Sequence, residues 1–231
     1  MLQLVMPWNK GFTKNTHPSV LKISETMRVK KIDNFFEWRK RLQNKLSKPL
    51  IRNEKLAFLI GISFGDGHIQ KFPRTERLRI VLGTDKPALW QYTAKLVEDI
   101  FKKRPWVKTR KYTNAVDISI YRCGLSKKLE IPSGARKNLK VKIPQWIWEN
   151  DKFLISCLRG LYEAEASLSI HLSTYTYNFS FSNKNQYLLD EVEKALIYFS
   201  FHPERREDAI RLRRKLEVES FRNLISFRKY T

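Results

Sequence analysis

The sequence predicts an α+β protein made of two pseudo-symmetric αββαββα units packed through one pair of helices, each unit carrying an antiparallel sheet. Three observations predict it. The segment Leu59-Ile-Gly-Ile-Ser-Phe-Gly-Asp-Gly67 recurs as Leu158-Arg-Gly-Leu-Tyr-Glu-Ala-Glu-Ala166, at one offset of 99 residues that carries Asp66 onto Glu165. The residues after each copy alternate polar and apolar, as half-buried strands do. Finally, 42% hydrophobic and 13% aromatic residues in 231 give enough apolar surface for a real core, which excludes general disorder.

Both repeated segments are apolar and free of proline. Asn53-Glu54 precedes the first and Asn150-Asp151 the second, and asparagine is a good N-cap. Helices are therefore expected over about 54–65 and 152–164. Gly61 and Gly65, like Gly160 and Ala164, are small residues four apart and share a helix face. Without bulk there, two helices can meet almost backbone to backbone, and the best partner for each stripe is the other. That pairing brings Asp66 and Glu165 together at helix C-terminal ends. The helix dipole disfavours an anion there by about 0.3–1 kcal/mol, and adjacent carboxylates repel each other. Stability does not explain such a placement; a divalent cation with oxygen ligands does.

After Asp66 come expected strands at 68–71 and 77–83, then a helical run from Asp85 to about Lys102 with Leu89, Tyr92, Leu96 and Ile100 at helical spacing. Strands follow at 106–112 and 115–121 around a Thr113-Asn114 turn, and a short helix near 126–129 closes the unit. After Glu165 the order recurs, with strands at 167–172 and 177–182, a helix over 186–201, strands at 204–207 and 209–214, and a helix over 218–228. An α+β unit of this order covers one sheet face and leaves the other open.

Charge narrows the partner. Forty-five Lys and Arg against 23 acids give a net charge of +22 and point to a polyanion, foremost nucleic acid. Residues 1–50 carry eleven basic side chains against Glu25, Asp33 and Glu37, and residues 102–142 carry thirteen against Asp117 and Glu130. Both segments suit phosphate neutralisation. Cys123 and Cys157 make neither a disulfide framework nor a four-thiolate site and read as thiols of a reducing, intracellular compartment. The histidines lack zinc-ligand spacing. No secretory signal is expected at the start, and no run approaches the length of a membrane span.

The segments LIGISFGDGHI and LRGLYEAEASL resemble the paired signature helices of the LAGLIDADG homing endonucleases, in the monomeric form with two motifs per chain. The stretch Ile131–Ile147 resembles that family's link between repeats, and 209–215 followed by Glu217-Val-Glu-Ser-Phe221 resembles its closing strand and helix. The resemblance spans about residues 53–231. It departs at Phe64, where the first motif has an acid, and at Ala166, where the second ends in glycine. The position of the family's metal-binding carboxylate is acidic in both copies. The resemblance implies cleavage of both strands of a long duplex target, with saddle-shaped sheets along the major groove. Mg²⁺ or Mn²⁺ would lie between Asp66 and Glu165, helped by the backbone carbonyls of Gly65 and Ala164, and Ca²⁺ would be a non-catalytic substitute. Lys137 is the candidate catalytic lysine and Lys140 the next, either being alternatively a phosphate contact.

Strand alternation nominates the side chains that face DNA. They are His68, Gln70, Arg77, Arg79, Asp117, Ser119 and Tyr121 in the first unit. In the second they are Ser169, His171, Asn178, Ser180, Ser182, Arg211 and Arg213; Lys111 and Lys140 are further DNA contacts. Leu168, Ile170 and Leu172 are expected to point inward. The expected organisation is a basic extension at 1–52, a first repeat at 53–143 and a second at 144–231. The extension carries a turn-rich start from Pro7 to Ser19, a basic helix over 20–46, and Phe35, Phe36 and Trp38 for packing or docking. It faintly resembles DNA-binding modules attached to some of these endonucleases. Two further roles fit the same scaffold: an RNA-binding intron maturase, and a non-catalytic DNA-binding regulator.

Overall fold

The computed structural model describes residues 7–33, 35–37 and 49–229, which fall into two compact units divided between Lys48 and Pro49. In the first unit, helix α1 (Pro18–Val29) starts where proline presets φ, and the His17 ring nitrogen accepts the N–H of Ser19 at 3.3 Å. The rings of Trp8 and Phe12 face His17, 6.1 and 4.6 Å away between centroids. The helix expected over 20–46 stops at Val29, and the chain turns with Lys31 at φ 51°. Residues 38–46 of that expectation, Trp38 among them, lie outside the described residues. Phe35 and Phe36 are exposed.

The second unit opens with α2 (Glu54–Gly65), capped as expected by the Asn53 side chain, which accepts the N–H of Leu56 at 2.9 Å. Strands β1 (Gly67–Phe72) and β2 (Thr75–Gly83) form a hairpin, α3 (Pro87–Phe101) follows, then β3 (Trp106–Thr109), β4 (Ala115–Arg122) and α4 (Leu125–Leu129). After the link come a one-turn helix α5 (Gln145–Trp148) and α6 (Asp151–Glu165). Asn150 caps α6 by accepting the N–H of Lys152 at 2.9 Å. The second half repeats the order: β5 (Ala166–His171), a single 3₁₀ turn, β6 (Thr176–Ser182), α7 (Gln186–Tyr198), β7 (Glu204–Arg206), β8 (Ala209–Leu212) and α8 (Lys215–Leu224). The two antiparallel sheets have equivalent strand orders, β1-β2-β4-β3 and β5-β6-β8-β7.

Inward side chains of both sheets, among them Ile69, Leu78, Ile80, Ile118, Phe179, Phe181 and Ile210, join α2 and α6 in one core. Tyr162 of α6 packs there against Phe179, Phe181 and Phe221. No described helix is long and apolar enough to cross a membrane.

Several boundaries differ from expectation. The strand expected over 106–112 ends at Thr109: Arg110 still donates its N–H to Ala115, but Ala115 gives its own N–H to Thr113 as the chain turns. The helix expected to reach 201 stops at Tyr198, as Ser200 takes a left-handed φ of 63°. The last strand ends at Leu212 and the last helix spans 215–224. Ile170 and Leu172 are not inward: they are 42% and 70% exposed, while Leu168 is half-buried. Alternation fixes which side of a strand a residue takes, and nothing among the described residues covers that side of the β5 tip.

Candidate active site

The site is built by the glycines. A Cβ on Gly61 would overlap the carbonyl oxygen of Cys157 and lie 3.0 Å from the Leu161 nitrogen. A Cβ on Gly160 would overlap the Phe58 carbonyl oxygen and lie 2.7 Å from the Ile62 nitrogen. Helices α2 and α6 thus touch main chain to main chain. One turn on, a Cβ on Gly65 would lie 2.5 Å from the Ala164 methyl and 2.9 Å from Glu165 Cγ. The four expected interface residues are therefore all at the contact, with the Ala164 methyl filling the space that Gly65 leaves.

Asp66 is the C-cap of α2 and Glu165 the last residue of α6, so the seam brings the two acids to one end. Burial, then repulsion from Glu165, pushes the Asp66 carboxyl up to about 7, against the opposing charge of Lys86. Burial also raises Glu165, opposed by Arg136 and then Lys86. Gly65, Glu165, Arg136, Lys137 and Lys184 line an open cavity of about 960 Å³. The Lys184 ammonium is paired with Asp208 at its edge.

Of the two nominated lysines, Lys137 lines the cavity; Lys140 is exposed on the link and does not. Sequence reasoning missed Arg136, Lys86 and Asn185. The Arg136 guanidinium donates to the carbonyls of Ser63, Phe64 and Gly67 at 2.9, 3.2 and 2.7 Å. Asn185, 3% exposed, caps α7 by accepting the N–H of Leu188 at 2.9 Å. Its amide donates back to the link carbonyls of Arg136, Lys137 and Leu139. The sequence signal for Asn185 was its place before the helix; the other two carry none beyond their charge.

The outward sheet faces bear the remaining nominated residues in cross-strand rows. Gln70, Arg77 and Tyr121 are register neighbours, as are His68, Arg79, Ser119 and Trp106. Arg77 donates to Gln70 Oε1 at 2.7 Å and to the Tyr121 hydroxyl at 3.4 Å, and lies over the rings of Phe72 and Tyr121. Burial, then Arg79, Arg136 and Arg77, lower the His68 imidazole and favour its neutral form. Asp117 and Ser119 take the outward side as expected, yet are only 9% and 3% exposed because longer neighbours cover them. Arg110 grips Asp117 with two bonds of 2.8 Å and holds that carboxyl below its ordinary range. Lys111 is exposed in the turn that follows β3.

In the second sheet, Ser180 pairs in register with Arg211, and Ser169 with Asn178. Ser180 is buried, while Ser169, His171 and Ser182 are exposed. Arg211 grips Glu204 with bonds of 3.0 and 3.1 Å, and Arg206 and Arg213 also pair with that acid. Each sheet thus carries one carboxylate forked by an arginine, with the acid on β4 in the first and on β7 in the second.

The donor set fits a hard divalent cation in part. Asp66 and Glu165 share one end of the seam, Glu165 on the wall of an open cavity, and no cluster of three or more His, Cys, Asp or Glu able to hold a metal occurs among the described residues. Such a pair suits a cation that keeps several ligand positions for water and phosphate oxygen, as Mg²⁺ does.

No family model matches this sequence, and no curated protein matches it by sequence. Solved structures do match by shape. The crystal structure of I-DmoI in complex with DNA and Mn superposes with a TM-score of 0.52 at 17% identity, covering 74% of this chain and 96% of that one. Mesophilic variants of the homing endonuclease I-DmoI give 0.51 at 17%, covering 74% and 94%. The N-terminal LAGLIDADG domain of DUF199/WhiA gives 0.51 at 15%, covering 78% and 87%. Backbone-packed signature helices, twin four-stranded sheets and these neighbours together mean that this chain has the LAGLIDADG fold, with both motif helices on a single chain.

Proposed function

We propose that this protein is a metal-dependent homing endonuclease that hydrolyses both strands of a long, specific duplex DNA site. One observation carries the reading: a seam of main chain on main chain delivers two half-buried carboxylates to one end of the helix pair, with Glu165 on the wall of an open cavity, where neither aids folding. Asp66 and Glu165 would hold a cation of the Mg²⁺ or Mn²⁺ class, with the Gly65 and Ala164 carbonyls beside them. Bound there, such a cation supplies water activation and neutralises charge on the scissile phosphate. One I-DmoI structure contains DNA and Mn, and another, at a TM-score of 0.50, contains DNA and Ca, which supports the metal class.

The chain's own residues do the rest. The water oxygen forms a bond to phosphorus and gives up a proton to solvent while the bond to a sugar oxygen breaks; negative charge builds on the phosphoryl oxygens and on that leaving oxygen, which takes a proton from solvent. Lys86, whose charge acts on both acids, and Lys137 on the cavity wall would offset that charge. The outward faces of the two sheets would lie in the major groove, where arginine and glutamine match guanine and adenine edges. Both acids belong to one chain, so a monomer suffices, and the basic residues of 1–52 would extend the DNA contact.

The test is cleavage of a duplex recovered from a randomised library, comparing wild type with Asp66→Asn and Glu165→Gln. Loss of scission with DNA binding retained in Ca²⁺ is expected. Unchanged cleavage by either variant defeats the reading, and a double variant that still supports intron splicing would move the protein to the maturase role.

A further inference from the structure

We propose that Arg136 is a positioning residue for hydrolysis: its guanidinium fixes the peptide units on both sides of Asp66 and so aims that carboxylate. The inference rests on the nuclease reading above. The three carbonyls it holds, those of Ser63, Phe64 and Gly67, bracket Asp66 in sequence. The Asp66 main chain is itself engaged, its N–H donating to Ile62 at 3.0 Å and its carbonyl accepting from Val81 at 3.1 Å. Five of the six carbonyls from 62 to 67 therefore accept a hydrogen bond, and the sixth belongs to Gly65, which lines the cavity. A helix end normally leaves its last carbonyls to water or a cap. Here one side chain collects them and ties them across the turn into β1.

Arg136 is also held from behind. Asn185 of the second repeat takes its main-chain carbonyl, and Gly134 donates its N–H to Ile69 of β1 at 2.8 Å. The residue thus braces the first motif helix against the second repeat. Three of its five N–H groups are spent on carbonyls, which suits a fixed brace and not a mobile phosphate contact. Exposed Lys137, its neighbour, is free to take that contact. The link between repeats occurs once, so the hydrogen-bonded brace holds the Asp66 end alone, while at Glu165 Arg136 acts through its charge. The two strands of a target duplex should therefore depend on it unequally.

The experiment uses the full-length protein with a selected duplex, comparing wild type, R136Q and R136K. Each is assayed for scission of each strand in Mg²⁺, for DNA binding in Ca²⁺, for thermal unfolding and for Mn²⁺ binding by electron paramagnetic resonance. The inference expects R136Q to slow scission at least tenfold, more on one strand than the other, so that nicked duplex accumulates. DNA binding should change less than threefold, and Mn²⁺ binding should weaken at least fivefold. A residue acting only through its charge would instead tighten Mn²⁺ when removed. R136K, which keeps the charge and loses the fork, should fold and bind DNA yet remain slow, and guanidinium added to R136Q should restore part of the rate. Wild-type rates in R136Q, tighter Mn²⁺ binding, or equal slowing of both strands would overturn the inference. Should R136Q not fold, normal scission by a folded R136K would overturn it equally. A wild type as inert as Asp66→Asn would mean that the nuclease reading itself has failed, and the inference with it.

Discussion

Replacing Asp66 by asparagine should stabilise the metal-free protein while destroying its chemistry. The size follows from the site. Moving a carboxyl from 3.8 to about 7 corresponds to about 4 kcal/mol of native-state cost. Asp66 is only half-buried, so water screening reduces this to about 2 kcal/mol. Below pH 3.8 the carboxyl is neutral in both states and costs nothing. As pH rises, the unfolded chain ionises first and native stability falls, until Asp66 ionises too near pH 7 and the loss becomes constant. In EDTA at pH 8.5, Asp66→Asn should therefore melt about 4–8 °C above wild type, and the gain should vanish near pH 4. Thermal unfolding followed by circular dichroism across that range measures it. No gain at pH 8.5, or the same gain at both ends, would refute the argument that burial and Glu165 together strain this carboxyl.

Saturating Mn²⁺, at a hundredfold excess over its dissociation constant, should raise wild-type stability by about 2.7 kcal/mol and leave Asp66→Asn unmoved, as read by melting with and without metal. Gly61→Ala should cost about 3 kcal/mol or more, because the new methyl meets the Cys157 carbonyl and backbone cannot rotate away; chemical denaturation reads the loss. Asn185→Ala should cost about 1–3 kcal/mol through the lost cap and the link carbonyls left unpaired, measured by the same method. Arg77→Ala should relax base preference at one target position by about 1–3 kcal/mol, which cleavage of a single-substitution duplex library would resolve.

The seam and the twin acids were legible because each depends on residue type at fixed spacing. A helix meeting another at backbone distance must be glycine or alanine at every fourth residue, and the requirement appears twice. The sheets were legible as alternation, but alternation reports side and not cover, hence Ile170 and Leu172. Ser200 stops α7 in a left-handed conformation that serine does not advertise as glycine would. Arg136 was the largest omission. Its partners are carbonyls, which every residue has, and it stands in an aperiodic link among other basic side chains. Only the folded path brings it to the end of α2.

The forked pairs Arg110–Asp117 and Arg211–Glu204 bear on how a chain of net charge +22 would meet a polyanion. An arginine already gripped by a carboxylate gains little from a passing phosphate, since it must first surrender a partner that holds it through two bonds. Only a base edge or phosphate presented in the right place can match that loss. On the proposed reading, in which the outward sheet faces take the groove, these acids would lower loose affinity more than specific affinity, since only the proper site offsets the broken pairs.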